Sequence, residues 1–172
     1  SREAVAMFLR YSCVPQPYSI YEGIRKLSPG HFVELATHAN PICYWSMREH
    51  VTRGVRSPLC VPKERAVSKL ENTLQDAVKK QMQADVPLGA FLSGGVDSSL
   101  IVALMQEQSS CPINTFSIGF EDQKFNEAPF AKKVARHLGT DHLELYVSAS
   151  EARSVIPNLP RIYDEPFSDS SQ

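Results

Sequence analysis

Apolar positions fall into two stretches of different rhythm. Behind Pro62, a residue suited to a helix first turn, Val67, Leu70, Leu74, Val78 and Met82 recur every three or four residues and predict an amphipathic helix to about Gln83. Residues 86–92 form a compact apolar run that reads as a strand, ended by Ser93-Gly94-Gly95. A helix follows from Ser98 through Leu100, Ile101, Ala103, Leu104 and Met105, and residues 113–120 form a second strand. Asn126 is placed to cap the next helix, with Phe130, Val134 and Leu138 on one face and Gly139 just past its end. Residues 142–147 make a third strand. Ser148 with Glu151 fits a capping box for a last helix, which Pro157 and Pro160 must bend or break.

Strand and helix in regular alternation predict an α/β fold, an open parallel sheet with crossover helices of the Rossmann-like kind. The strands are nearly all apolar, as expected of strands buried on both faces, and Phe116 and Phe120 are expected in the core. Residues 1–60 lack this alternation. They hold an apolar segment at 5–11 that reads as helical, a proline-rich stretch at 14–18, and a β segment at 31–36 after the turn Ser28-Pro29-Gly30. A further short strand is expected at 41–45, and residues 51–60, without periodicity, read as a loop.

Hydrophobic residues are 42% and charged residues 22% of the chain, the balance of a soluble globular protein. The formal net charge of −1 gives no general attraction to nucleic acid or to an anionic membrane. No apolar run approaches the ~20 residues that span a bilayer, and no signal peptide opens the chain. Cys13, Cys43, Cys60 and Cys111 lack C-x-x-C spacing and histidines at metal-ligand intervals, so they read as reduced thiols of a cytoplasmic protein. Both ends look cut. The chain reads as an excised piece of a longer enzyme.

The sharpest chemical feature is Phe91-Leu92-Ser93-Gly94-Gly95-Val96-Asp97-Ser98-Ser99, placed between an expected strand and an expected helix. The carboxyl edge of an open α/β sheet is where ligands bind. Paired glycines let the backbone turn tightly and bring N–H groups to an anion, and the helix start adds free N–H groups and its positive dipole end. Ser93, Ser98 and Ser99 add hydroxyls. Asp97 would repel a bare phosphate, but it fits if a divalent cation stands between them. The bland alternative is a tight turn with Asp97-Ser98 as a helix cap. Neither the G-x-x-x-x-G-K-[ST] pattern nor G-x-G-x-x-G is present, which removes the ordinary kinase, GTPase and simple dinucleotide readings.

The motif S-G-G-x-D-S resembles the pyrophosphatase loop of the N-type ATP pyrophosphatases, whose fold is of the HUP type. Further segments resemble the glutamine-dependent asparagine synthetase family in particular. They are Pro17-Tyr18-Ser19-Ile20-Tyr21-Glu22-Gly23-Ile24, Lys26-Leu27-Ser28-Pro29-Gly30-His31, Tyr44-Trp45 and Pro87-Leu88-Gly89. Downstream come Thr115-Phe116-Ser117-Ile118-Gly119-Phe120, Phe125-Asn126-Glu127-Ala128, His137-Leu138-Gly139-Thr140-Asp141-His142 and Asp164-Glu165-Pro166-Phe167-Ser168-Asp169. The match is colinear over nearly the whole chain.

The resemblance implies that residues 1–60 are the tail of a glutaminase domain and its linker, and that residues 61–172 begin a truncated ATP-pyrophosphatase (synthetase) domain. It implies that Leu92, Ser93, Gly94, Gly95, Val96, Asp97, Ser98, Ser99 and Ile118 bind ATP, with Leu92 and Ile118 flanking adenine and ribose and Asp97 holding Mg²⁺. Asp164, Glu165 and Asp169 form an acidic group that would serve substrate or metal, or be a solvated turn; catalytic residues stay otherwise unassigned. His137 and His142 read as cap or surface residues, and Lys132, Lys133 and Arg136 as a solvated helix face. The implied reaction adenylates a carboxylate, by default aspartate, releases pyrophosphate and transfers ammonia from glutamine. The full-length enzyme could be a homodimer. Two departures stand out: no cysteine opens the chain to act as the glutaminase nucleophile, and the family's later S-G-[ED]-G-x-D-E motif is absent. The fragment alone is therefore expected to bind ATP poorly and to turn over nothing. A relative acting on another carboxylate, such as a sugar acid of surface polysaccharides, and a non-catalytic scaffold domain are the competing readings.

Overall fold

The structure is a computed structural model and describes residues 1–35, 38–124, 126–166 and 168. The chain divides into two compact units, Ser1–Leu59 with Ile156–Gln172, and Cys60–Val155.

In the first unit, helix α1 spans Arg2–Tyr11, and its capping residue is Ser1, whose hydroxyl accepts from the Ala4 N–H. Strands β1 (His31–Glu34) and β2 (His38–Cys43) pair antiparallel, with Phe32 opposite Ile42. The turn before them is Gly30, at φ +70°, whose carbonyl accepts from Tyr44 and Trp45 at 2.8 and 3.1 Å. Residues 51–60 are not simply the expected loop. A helix α2 runs over Met47–Arg56, started by Ser46, whose hydroxyl accepts from the Glu49 N–H at 3.3 Å. Pro157 and Pro160 break the following helical run as expected, into a 3₁₀ turn at Ile156–Asn158 and the short helix α7 at Leu159–Ile162.

In the second unit, helix α3 (Lys63–Gln81) precedes strand β3 (Gly89–Phe91), helix α4 (Val96–Glu107), strand β4 (Asn114–Phe120), helix α5 (Ala128–Leu138), strand β5 (Asp141–Val147) and helix α6 (Ala149–Val155). The three strands form a parallel sheet in the order β3-β4-β5, an α/β open sheet with crossover helices. Gly139 ends α5 in the left-handed conformation, and Ser148 and Glu151 form the reciprocal capping box of α6. Strand β3 is much shorter than the apolar run at 86–92, because only Gly89, Ala90 and Phe91 find ladder partners on β4.

The core lies on one face of this sheet, where Leu92, Val102, Leu104, Met105, Ile113, Ala131 and Ala135 pack with Val78 of α3. Burying side chains such as Leu92 and Val102 contributes roughly 1.5–3 kcal/mol each. The buried stripe of α5 is Ala128, Ala131 and Ala135. Val134 and Leu138 pack against the core from its side, whereas Phe130, expected with them, is 61% exposed. The expectation of strands buried on both faces is also corrected. Along β4, Thr115, Ser117 and Gly119 are buried, while Phe116, Ile118 and Phe120 are exposed on the other face with Phe91, Leu143 and Leu145. Within this stretch of chain the reason is topological. Successive right-handed crossovers that advance in one direction place their helices on the same face.

Candidate functional site

Strand β3 delivers the chain to Leu92, which lies just past the paired residues and donates its N–H to the Phe116 carbonyl at 2.8 Å. The Ser117 hydroxyl donates to the Leu92 carbonyl, fixing the exit direction of the strand from the side. Gly94 then takes φ +81°, a left-handed turn that suits glycine. Gly95 follows as the N-cap of α4, in extended conformation and without a side chain to cap the helix.

The serines around this turn bond to one another. The Ser93 and Ser98 hydroxyls lie 2.8 Å apart, the Ser98 hydroxyl accepts from the Ser93 N–H at 3.3 Å, and the Ser93 hydroxyl accepts from the Gly95 N–H at 3.4 Å. Two hydroxyls thus satisfy two backbone donors at the mouth of the loop. The Ser99 hydroxyl is buried and has no hydrogen-bond partner among the described residues. Val96 and Asp97 are exposed in the first turn of α4, where a carboxylate also complements the helix dipole.

Both α4 and α5 follow parallel strands and begin beyond their carboxyl ends, but they differ in what remains free. The first turn of α5 is satisfied: Ala128 N–H donates to the Asn126 side chain, residue 129 is proline, and Phe130 and Ala131 donate to the Glu127 carbonyl. Asn126 therefore serves the helix start as expected, although Glu127 is the cap position. Neither helix has a side-chain bond from its cap residue, and the Ser99 N–H donates to the Gly95 carbonyl at 3.1 Å as Ala131 does to Glu127. Among the described residues, however, α4 has no counterpart of the Asn126 bond to its first N–H. A glycine turn, an uncapped helix N-terminus and flanking hydroxyls together form an anion cradle. The described residues contain no group of three or more His, Cys, Asp or Glu side chains able to cage a metal. A single exposed carboxylate at residue 97 fits instead a cation that arrives already bound to phosphate oxygens.

The remaining sequence candidates separate. Leu92 and Ile118 do not come together: the Leu92 side chain is 2% exposed within the helix-side core, and Ile118 is 49% exposed on the bare face of the sheet. Phe91, not Leu92, shares that face with Ile118, because side chains alternate along a strand. Phe116 and Phe120 also lie on it rather than in the core. Asp164 and Glu165 lie in the first unit, beside a cleft of about 460 Å³ lined by Ile20, Tyr21, Tyr163 and Pro166 among others. Glu165 is engaged at both oxygens, one in an ion pair with Lys26 and the other accepting from the Ile20 N–H. Asp169 lies outside the described residues, as do Phe125 and Phe167. His142 is half-buried; its Nδ1 lies 2.9 Å from the buried Thr115 hydroxyl, and its Nε2 is buried without a partner among the described residues. Lys132 is not merely solvated, since it pairs with Glu144 at 2.8 Å.

These features define an open parallel α/β domain with a serine-flanked glycine turn and a helix start at the carboxyl end of its first strand. Its sequence matches the asparagine synthase family over residues 69–172. The chain belongs to that family of amide-forming synthetases. It is 35% identical over 99% of its length to a putative glutamine-hydrolysing asparagine synthetase of Methanocaldococcus jannaschii, covering 32% of that protein. It is 29% identical over 98% of its length to asparagine synthetase 1 of Bacillus subtilis, covering 26% of that protein. With human asparagine synthetase it shares 38% identity over 86% of its length, covering 22% of that protein. The chain thus spans about a third or less of the length of these relatives.

Proposed function

We propose that the 93–98 loop binds the phosphates of ATP in an amide-forming ligase that activates a carboxylate, by default that of aspartate, as an acyl-adenylate. A carboxylate oxygen attacks the α-phosphorus, the bond to the bridging oxygen breaks, and pyrophosphate departs with the electron pair. Ammonia, released from glutamine elsewhere in the enzyme, then attacks the acyl carbon; AMP leaves, nitrogen loses a proton, and asparagine results. In this reading residues 61–172 begin the ATP-pyrophosphatase domain and residues 1–60 are the tail of a glutaminase domain with its linker, in a cytoplasmic enzyme.

The observation that carries the reading is the uncapped start of α4 beside a glycine turn. Backbone donors held there stabilise charge as it accumulates on departing pyrophosphate, without reorganising at the moment of reaction. Ser93 and Ser98 turn their hydroxyls from each other to the phosphate oxygens. Asp97 holds Mg²⁺, which neutralises charge on the leaving group when bound. The names of the relatives support the amide product, and the colinear match supports the domain assignment.

The test is ATP–pyrophosphate exchange by the protein at its natural full length. Exchange that needs both aspartate and Mg²⁺ is expected, and Asp97→Ala should lower it by on the order of a hundredfold or more while costing the fold no more than the roughly 0.3–1 kcal/mol of its helix-dipole interaction. Exchange supported only by another carboxylate would reassign the acceptor. Normal exchange by Asp97→Ala would remove the metal role.

A further inference from the structure

This inference rests on the phosphate-loop reading of residues 93–98 and concerns α5, which holds that loop in shape. An ideal Cβ on Gly94 would stand 2.7 Å from the peptide nitrogen of Ala131, 2.8 Å from the Phe130 Cβ and 2.9 Å from the Phe130 carbonyl carbon. The loop therefore rests directly on the backbone of the first turn of α5. That backbone cannot yield easily, because the Phe130 and Ala131 N–H groups are both tied to the Glu127 carbonyl, at 3.0 and 3.1 Å.

On its other side this turn is sealed by the core. Ala131 is 0% exposed and belongs to the same buried cluster as Leu92, the residue immediately before the loop. The first turn of α5 thus contributes to the close-packed core through Ala131 and meets the glycine turn through its backbone.

We propose that Ala131 is a positioning residue for nucleotide binding: its methyl group lets α5 seat deeply enough for its backbone to form the rear wall of the phosphate loop. A larger side chain displaces the first turn of α5 from this seat, and the loop that rests on that turn loses its wall. The donors of the cradle then miss the phosphates, and displacements of about 1 Å at such sites carry large penalties. Ala135 is the matched control. It is 1% exposed on the same helix face, in the same cluster, one turn farther from the loop.

The experiment compares wild type, Ala131→Val and Ala135→Val in the protein at its natural full length, by Mg·ATP titration, steady-state kinetics and thermal denaturation. Loss of folded protein lowers kcat and leaves KM alone, whereas a displaced loop raises the KM for ATP. Ala131→Val is expected to weaken ATP binding and raise its KM at least tenfold, with the KM for the carboxylate unchanged. Ala135→Val, at a comparable loss of melting temperature, should stay within twofold for ATP. Ala131→Gly, which adds no bulk, should also bind within threefold of wild type. If either valine variant fails to fold, Ala131→Cys against Ala135→Cys carries the same comparison. Equal ATP effects at the two positions, or wild-type ATP affinity in Ala131→Val, would overturn this assignment alone. A wild-type protein that binds no ATP would overturn both it and the phosphate-loop reading.

Discussion

The hydroxyls of Ser93 and Ser98 lie 2.8 Å apart, each also satisfying a backbone N–H of the glycine turn. In the proposed ATP-binding role, both hydroxyls exchange this mutual contact for phosphate oxygens. Ser98→Ala removes the hydroxyl that serves Ser93 and frees Ser93 of its partner. Hydrogen bonds to charged groups contribute about 1.5–3 kcal/mol each, so ATP affinity should fall roughly tenfold or more. Because the two hydroxyls share one network, Ser93→Ala with Ser98→Ala should cost less than the sum of the single changes, as read from a double-mutant cycle of ATP titrations. Strict additivity would show that the pair does not act as a unit.

Gly94 and Gly139 share a left-handed φ, +81° and +72°, but not their surroundings. A Cβ at Gly139 would meet nothing within 4 Å, so Gly139→Ala bears only the conformational cost, about 1 kcal/mol. At Gly94 the same methyl meets the α5 backbone. Gly94→Ala should therefore lower the melting temperature further than Gly139→Ala and should also abolish detectable ATP binding, which Gly139→Ala leaves intact. Equal melting temperatures for the two variants would contradict the close approach.

Much of this architecture was legible beforehand, for reasons tied to particular residues. The periodic stripe of α3, the Gly139 stop and the Ser148–Glu151 box are local devices whose meaning needs no distant partner. Helix α2 is faint in the sequence because its apolar residues Met47, Val51 and Val55 are few and exposed among charges. Two signals were available, the Ser46-x-x-Glu49 spacing and the four-residue interval of Met47, Val51 and Val55. The bare face of the sheet was illegible for a different reason. Phe116 and Ile118 look like core residues in any strand, and only the order β3-β4-β5 reveals which face the helices leave open. At the site, Ser93 to Ser98 could be named from the motif. The seat of Gly94 against Ala131 could not, since it depends on how closely α5 packs.

Glu165 was a candidate for chemistry, but its geometry predicts another behaviour. Its carboxylate binds Lys26 and the Ile20 N–H, while Lys26 also donates to the Val14 carbonyl at 2.7 Å. Residues far apart in sequence are thereby tied together within the first unit, next to the bond from Ser168 N–H to the Ser12 carbonyl. Removing one partner of a half-buried charged pair leaves the other poorly satisfied, at about 1–3 kcal/mol. Lys26→Met and Glu165→Gln should each destabilise the protein by that order and combine with less than additive loss in denaturant unfolding. If Glu165→Gln left stability untouched but eliminated turnover, the carboxylate would belong to the chemistry instead.

The pair Lys132–Glu144 gives a pH dependence whose sign can be worked out. The hydrogen bond from the Lys132 ammonium is the main reason the Glu144 carboxyl is held below its ordinary value of 4.5, and the Tyr146 hydroxyl, 2.9 Å away, adds to it. The same hydrogen bond raises Lys132 above 10.5. A carboxyl depressed in the folded state contributes stability that is present above 4.5 and is lost as pH falls through the folded value. A lysine raised in the folded state contributes stability that is present below 10.5 and is lost as pH rises through its folded value. The pair is therefore fully formed across neutral pH and weakens only toward either extreme. Lys132→Met should remove the acid-side part, so that its melting temperature falls less than that of wild type between about pH 5 and about pH 3. The ammonium is largely exposed, so the difference between the two proteins should shrink at about 1 M salt, where the screening length is about 3 Å. Parallel acid profiles for wild type and Lys132→Met at low salt would show that the ion pair does not hold the Glu144 carboxyl down.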